Sequence, residues 1–451
     1  MARKRDQRET RVVVLAAGRG TRMRSERAKV LHEVCGVSML EYSRRLAAEL
    51  DCDRPVIVVG AEADSVRKAC GEEGVEYVIQ AEQRGTGHAV KMAEGALSGF
   101  EGDVLVLYGD TPLLRASTLL SMQAHKQTSE ADLVVLTTTG DTPGRIVRDQ
   151  DGRIVRIVEA QDANPEELAI TERNTGVYLI DSELLWPALA SLKDDNNQGE
   201  LYLTDVVGYA VNNGLRVEGV MVKDPEEGLG INTRVELASA NRIMRGRINQ
   251  RLMEEGVTLI DPETTYVDGT VEVGPDTIIE PGCSILGDTR IGRSVHIKAG
   301  SYIEDSCLDE GVVFGPYSHL RPGSHLKAGV KIGNFVEIKN SVLGPGSKSA
   351  HLTYIGDADV GAGVNFGCGS VVVNYDGYEK HRSVVGDEVF VGCNVNLVSP
   401  VVVEPHAFLA AGSTITKSVP EDALAVSRSR QRNIEGWVSK KEGRFAPKDP
   451  K

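Results

Sequence analysis

In the second half of the chain, apolar residues recur at every sixth position. Val273, Ile279, Ile285, Ile291, Ile297 and Ile303 form one run, and Phe314, Leu320, Leu326, Ile332 and Ile338 a second. Val385, Val391, Leu397, Val403, Leu409 and Ile415 form a third. Glycine often follows, as in Ile291-Gly292, Ile332-Gly333, Val385-Gly386 and Val391-Gly392. Seventeen apolar residues in three fixed-phase runs exceed what chance alternation in an ordinary β domain produces. Three hexapeptides make one triangular turn: the apolar residue points to the axis and its small neighbour permits the corner. The pattern predicts a left-handed parallel β-helix around a narrow aliphatic column. The gap between Ile338 and Val385 breaks phase, and predicts a functional loop carrying His351, Tyr354, Asn374 and Tyr375.

The first half has a different rhythm. Apolar β-branched runs at 12–16, Val56–Val59, 77–79, 104–107 and 133–137 alternate with amphipathic stretches such as 39–50 and 88–97. That alternation predicts an α/β, Rossmann-like domain with a doubly wound, mostly parallel sheet. Ligands in such sheets sit beyond the carboxyl ends of the strands. Residues 233–255 contain no proline and keep roughly helical spacing through Val235, Ala238, Ile243, Met244, Ile248, Leu252 and Met253. At 1.5 Å per residue they predict a connecting rod of ~35 Å. The expected organisation is a nucleotide-binding domain over 1–232, a linker helix over 233–256, a β-helix over 257–427 and a basic arm and tail over 428–451.

The 451 residues include 51 Lys plus Arg against 65 Asp plus Glu, a formal net charge of −14. Duplex phosphates repel such a chain, so nucleic acid is not expected as a partner. No apolar run approaches the ~20 residues that span a bilayer, and none near the start has the length of a secretory core. No membrane partner and a cytoplasmic location are expected. The seven cysteines contain no Cys-x-x-Cys pair, a pattern of reduced thiols rather than a disulfide frame or zinc site. Glycine is frequent, at 48 residues, and aromatics are only 5%, in keeping with a coil of small side chains. Residues 428–451 carry eight basic and three acidic groups. Nearest the coil this arm suits a phosphate-bearing ligand; from Lys440 onward it reads as a solvated tail.

Candidate chemistry begins where the first strand ends, in Leu15-Ala16-Ala17-Gly18-Arg19-Gly20-Thr21-Arg22-Met23. Glycines here let backbone N–H groups approach phosphates. Met23 stands where a dinucleotide fingerprint needs a third Gly or Ala, and no Gly-Lys-Ser/Thr follows. Arg19, Arg22 and Lys29 add cations suited to a triphosphate whose charge grows as pyrophosphate leaves. Gln80-Ala81-Glu82-Gln83-Arg84-Gly85-Thr86-Gly87-His88 offers polar groups to edge a flat base. Asp110, in Tyr108-Gly109-Asp110, is either a Mg²⁺ ligand at a strand end or a turn residue before Thr111-Pro112. Asn232 is either a helix N-cap or a second metal ligand.

These segments, with Lys29-Val30-Leu31, Asn174-Thr175-Gly176 and Tyr202-Leu203-Thr204-Asp205, resemble the sugar-nucleotide pyrophosphorylases. The second half adds His319-Leu320-Arg321-Pro322-Gly323, Gly333-Asn334-Phe335-Val336-Glu337, His351-Leu352-Thr353-Tyr354 and Asn374-Tyr375-Asp376-Gly377. Nearly the whole chain is thus similar to the bifunctional bacterial family with N-acetylglucosamine-1-phosphate uridyltransferase and glucosamine-1-phosphate N-acetyltransferase activities. The resemblance implies acetyl transfer from acetyl-CoA to glucosamine 1-phosphate in the C-terminal domain. Mg²⁺-dependent uridylyl transfer from UTP to N-acetylglucosamine 1-phosphate then follows in the N-terminal domain, giving UDP-N-acetylglucosamine and pyrophosphate. That step is an in-line attack without a covalent enzyme intermediate.

Residue by residue, the resemblance implies that Leu15, Ala16, Ala17, Gly18, Gln80, Gly85 and Thr86 hold the uridine nucleotide. Arg22 and Lys29 would bind phosphates and serve catalysis, and Asp110 and Asn232 would ligate Mg²⁺. Tyr108, Gly144, Glu159 and Asn174 would complete the UDP-sugar site. His351 would be the general base that frees the amine, a task imidazole suits near neutral pH. Arg321, Lys339, Tyr354 and Asn365 would hold glucosamine 1-phosphate. Cys368, Asn374, Tyr375, Cys393, Ala411 and Arg428 would line the acetyl-CoA site. A homotrimer built through the coil is implied as well.

The chain departs from the family in places. Arg19 replaces a lysine and keeps its charge. Cys368 and Cys393 stand in place of alanine and serine, which opens the acetyl site to thiol reagents, and the segment before Gly144-Arg145 is slightly shorter. Two alternatives exist: a nucleotidyltransferase whose coil serves only assembly, and a non-catalytic scaffold of the same two folds. Gly18, Gly20, Lys29 and Asp110 together argue against the scaffold. Arg321, Lys339, His351, Tyr354, Asn374 and Tyr375 argue against an assembly-only coil.

Overall fold

The computed structural model describes residues 8–441, and the chain divides into two compact units, one ending at Ile248 and one beginning at Asn249. The central sheet of the first unit runs Val217–Met221, Leu133–Thr138, Arg173–Asp181, Asp103–Tyr108, Thr10–Ala16, Val56–Val59, Glu76–Ile79. Along Thr10–Ala16, Val12 and Val14 pack into one apolar cluster and Val13 and Leu15 into another. The first cluster includes Leu40 and Leu46 of the Met39–Glu49 helix, and the second Leu184 and Leu185 of Ser182–Ser191. A strand covered on both faces is apolar at every position, which is why these strands read as continuous runs.

The sheet is mixed. Arg173–Asp181 lies antiparallel between Asp103–Tyr108 and Leu133–Thr138. The chain before it makes the antiparallel hairpin of Gly144–Arg148 with Ile154–Glu159 and a short Pro165–Leu168 helix. No long crossover helix carries the chain back, so the strand arrives reversed. Strand direction leaves no mark on a fully buried apolar run.

The Arg234–Glu254 helix starts with reciprocal capping: Glu236 N–H donates to Thr233 Oγ1 at 3.2 Å and Thr233 N–H to Glu236 Oε2 at 2.8 Å. Thr233 is therefore the N-cap, and Asn232 precedes it with its side chain directed elsewhere. Ala240 of this helix is buried with Val34, Met39, Leu113 and Ile231 of the first unit. Near the other end, Asn249 Nδ2 donates to the carbonyls of Pro262 and Thr265 in the second unit.

The second unit is a left-handed parallel β-helix of three sheets, with ten, nine and eight short strands. The first face begins at Thr258–Leu259, the second at Tyr266–Val267 and the third at Glu272–Val273. Axial residues stack coil on coil: Ile279 on Ile297, Ile297 on Phe314, Phe314 on Ile332. Every residue of the three hexapeptide runs is buried except Val273, which is half-buried in the first coil. At the corners the backbones nearly touch, and a Cβ on Gly333 would fall 2.0 Å from the Ala350 carbonyl oxygen.

The stretch between Ile338 and Val385 is not a loop. Leu343, Ser349, Ile355, Val360, Phe366 and Val372 continue the buried column through it. Five-residue sides, as from Ile338 to Leu343 and Ile355 to Val360, shift the phase, and Ser349 places a hydroxyl on the axis. Both hide the period from a count of apolar residues. His351 and Tyr354 are consequently strand residues, in Lys348–His351 and Tyr354–Gly356. Only residues 374–382, between Val371–Val373 and Ser383–Val385, form an inserted loop, closed by pairing of Tyr375 with Lys380. No helix among the described residues is long and apolar enough to cross a membrane.

Two candidate active sites

In the first unit a cleft of about 720 Å³ opens at the carboxyl ends of the parallel strands. Leu15, Ala16, Ala17, Gly18 and Arg22 line it, with Lys29, Gln80, Gly85 and Thr86. Tyr108, Asp110, Gly144, Glu159, Asn174 and Asn232 complete the sequence-derived set in the same cleft. Arg19 lies on the exposed outer part of the glycine turn and does not line it. The turn wraps tightly over Lys29. Gly20 has φ +60, and a Cβ there would fall 2.6 Å from Lys29 Cβ, so only glycine fits.

Lys29 is the centre of the charge arrangement. Its ammonium pairs with Asp110 and donates to Asn232 Oδ1 at 3.1 Å. A carboxylate and an amide oxygen are thereby brought to one point at the floor of the cleft. This hard-oxygen pair fits Mg²⁺, which takes one or two protein oxygens and completes its shell with water and substrate phosphates. No cluster of three or more His, Cys, Asp or Glu suited to a metal occurs among the described residues.

On the base side, Gln80 is 4% exposed and donates to the Gly85 carbonyl at 3.1 Å. Gln83 ties this loop to the glycine turn by donating to the Ala17 carbonyl, a role sequence reasoning did not assign. On the sugar side, Asn174 accepts from Gly176 N–H at 2.9 Å and donates to Tyr178 at 2.6 Å, facing Gly144. Burial pushes the Tyr108 phenol far above its ordinary range, so it stays a neutral donor. Burial also raises the Glu159 carboxyl, with Asp162 and Asp205 adding to it and Arg145 opposing. Arg145 was missed as well: it is buried and holds the Thr142 and Pro143 carbonyls, shaping the lip.

In the second unit the candidate residues assemble along a ladder. His319, Glu337 and Tyr354 stack on successive coils of the second face. Two positions on, Arg321 N–H bonds the Ile338 carbonyl beside Lys339, and Lys339 pairs in register with Gly356. Arg321 Nη1 bonds Glu337 at 2.7 Å. Asn374, buried, donates to Asp357, and its Nδ2 lies 3.4 Å from the Tyr354 hydroxyl. The inserted loop brings Lys380 against Lys339 and lowers the Lys339 pKa, through their direct contact first, then burial and Lys380's charge. Two ammonium groups forced together want an anion between them. Lys380 lies inside the loop, and no periodicity marks it.

His351 stands at the corner between the first and second faces, exposed. Its Nδ1 lies 2.8 Å from Asn334 Oδ1, an acceptor, so in this pairing Nδ1 carries the proton and Nε2 keeps its lone pair. Asn334 reaches His351 only because Asn334 and His351 pair in register, seventeen residues apart. Cys368, Cys393 and Ala411 follow at the same corner, and Arg428 donates to the Ala411 carbonyl at 2.6 Å. Asn365 lies on the first face beside Lys348. Tyr375 is exposed at the start of the inserted loop. The tail after 441 lies outside the described residues.

Residues 12–205 match the model of the MobA-like NTP transferase domain, and 270–305 that of the bacterial transferase hexapeptide. The bifunctional protein GlmU of Trichlorobacter lovleyi is 49% identical, over 95% of this chain and 98% of its own length. That of Caldanaerobacter subterraneus is 48% identical, over 96% and 99%, and that of Pelobacter propionicus 47%, over 94% and 97%. The chain belongs to the GlmU family. As a GlmU protein it is a bifunctional transferase, with uridyltransferase and acetyltransferase activities. The match covers 95% of the chain and so takes in both units, and the assembly-only coil and the non-catalytic scaffold are not favoured.

Proposed function

We propose that the second unit acetylates glucosamine 1-phosphate from acetyl-CoA, and that the first joins the product to UTP, giving UDP-N-acetylglucosamine and pyrophosphate. What carries this reading is that each unit holds a complete cluster: Lys29, Asp110 and Asn232 in one, His351 with Asn334 in the other.

In the coil, Arg321, Lys339 and Lys380 grip the sugar phosphate, and Tyr354, Asn365 and Asn374 orient the amine. His351 Nε2 takes the ammonium proton, and the freed amine attacks the thioester carbon. Cys368, Tyr375, Cys393, Ala411 and Arg428 hold the coenzyme along the corner and arm. The residual basic charge of that arm suits the phosphates of the coenzyme.

In the first unit, the bare amides of the glycine turn with Arg22 and Lys29 bind the triphosphate. Gln80, Gly85 and Thr86 hold the uracil. Tyr108, Gly144, Glu159 and Asn174 hold the N-acetylglucosamine. Asp110 and Asn232 would hold Mg²⁺, which when bound neutralises charge on the phosphates. The sugar-phosphate oxygen attacks the α-phosphorus in line, so positioning and charge neutralisation carry the rate. The Lys29 ammonium bonds the oxygens of both Asp110 and Asn232.

A homotrimer through the coil is part of the proposal. An exposed apolar ladder at one corner supports it: Tyr317, Phe335 and Leu352, with the two rings stacked at 6.0 Å. A cytoplasmic location is part of the proposal, and the scatter of the seven cysteines without a Cys-x-x-Cys pair supports it. His351→Ala should lower acetyl transfer by about 10²–10⁴-fold and leave uridylyl transfer near normal. Equal loss of both activities in a folded variant would contradict the assignment.

A further inference from the structure

The corner that carries His351 holds a second group of reactive atoms. The same backbone bond recurs along that corner: Leu352 N–H to the Asn334 carbonyl, Asn394 N–H to Cys368 and Gly412 N–H to Cys393. The register of Lys348 with Asn365 and Ser349 with Phe366 places Cys368 one coil beyond His351. Cys393 follows on the next coil. Each cysteine precedes a residue of positive φ, Gly369 at +76 and Asn394 at +55, so both occupy the same place in equivalent turns. The turns are in close contact, since a Cβ on Gly367 would fall 2.5 Å from Cys393 N. Both thiols are free, Cys393 exposed and Cys368 partly so. Adjacent coils lie about 4.8 Å apart, inside the range of about 4.4–6.8 Å between Cα atoms that a disulfide spans.

We propose that Cys368 and Cys393 form a reversible redox pair that closes to a disulfide and switches off acetyl transfer alone. The inference rests on the reading of this corner as the acetyl-CoA site. The oxidant is a low-molecular-weight disulfide. The Cys393 thiolate attacks one of its sulfurs, forming a mixed disulfide and expelling one small thiolate. The Cys368 thiolate then attacks the Cys393 sulfur, the bridge forms and the second small thiolate leaves. Two protein thiols are oxidised, one small disulfide is reduced to two thiols, and the two protons pass to the departing thiolates. The bridge pins both sulfurs across the surface on which the thioester lies, one coil from the base.

The test treats the full-length protein with oxidised glutathione, digests a portion without reduction for peptide mass spectrometry, and assays both activities. Cys368→Ala and Cys393→Ser variants are each compared with their own untreated sample, which cancels any effect on the basal rate. The expected result is a peptide joining Cys368 to Cys393 and lacking two hydrogens. Acetyl transfer should fall by about tenfold or more, uridylyl transfer should hold, dithiothreitol should restore the loss, the Cys393→Ser variant should resist, and the Cys368→Ala variant should stop at the mixed disulfide, with one glutathione on Cys393 and no joined peptide. Absence of the joined peptide overturns the proposal, as does equal inactivation of the Cys393→Ser variant or parallel loss of both activities. If the reduced protein transfers no acetyl group at all, the reading of the site fails and the switch falls with it. Retained transfer without a cross-link overturns the switch only.

Discussion

Lys29 illustrates how much one side chain decides. Its ammonium, from near the start of the first unit, holds together Asp110 from the middle of that unit and Asn232 from near its end. Asp110→Asn removes the only carboxylate of that trio, and uridylyl transfer should fall by roughly two orders of magnitude, with acetyl transfer retained. An unchanged rate and Mg²⁺ dependence would contradict the metal assignment. Asp205 makes a different prediction. Burial, then Asp195 and Asp162, raise its pKa above the unfolded value. Its folding contribution is therefore fully present below the ordinary carboxylate range and is lost as pH rises through the raised value. Asp205→Asn removes that loss, so its melting temperature should fall less than the wild type's as pH rises from about 4, the ordinary aspartate value, through the raised one; scanning calorimetry across that rise checks this. Gly18 and Lys29 stood out as a glycine-rich turn followed by cations, whereas Asp110 by itself reads equally as a turn residue and the role of His351 came from the family resemblance. Asn334, Gln83 and Lys380 did not stand out, because their roles depend on partners that only the folded register brings near.

At the scale of elements, the hexapeptide period exposed the coil because each coil repeats one demand: an aliphatic group on the axis and a tight corner. The period disappears where sides shorten to five residues and where Ser349 stands on the axis, although the coil continues unbroken. In the first unit, strands were legible from their apolar runs, while the reversed direction of Arg173–Asp181 was not. Direction is set by the hairpin and short helix before it, not by the strand's own side chains. The axial column makes its own prediction. Phe314 is fully buried between Ile297 and Ile332. Phe314→Ala should destabilise the coil by about 3–5 kcal/mol. Acetyl transfer should then be lost on heating before uridylyl transfer, and simultaneous loss would show that the two units do not melt independently.

For the whole molecule, the two clusters lie in separate compact units, each with its own core. The proposed order of reactions follows from the chemistry, since the uridylyl acceptor is the product of acetylation. The most direct measurement is one incubation of the purified protein with glucosamine 1-phosphate, acetyl-CoA, UTP and Mg²⁺, read by mass spectrometry, beside a control without acetyl-CoA. The account predicts UDP-N-acetylglucosamine only when acetyl-CoA is present. Failure to form any acetylated sugar, with added N-acetylglucosamine 1-phosphate still uridylylated, would contradict it and leave the coil without a catalytic role.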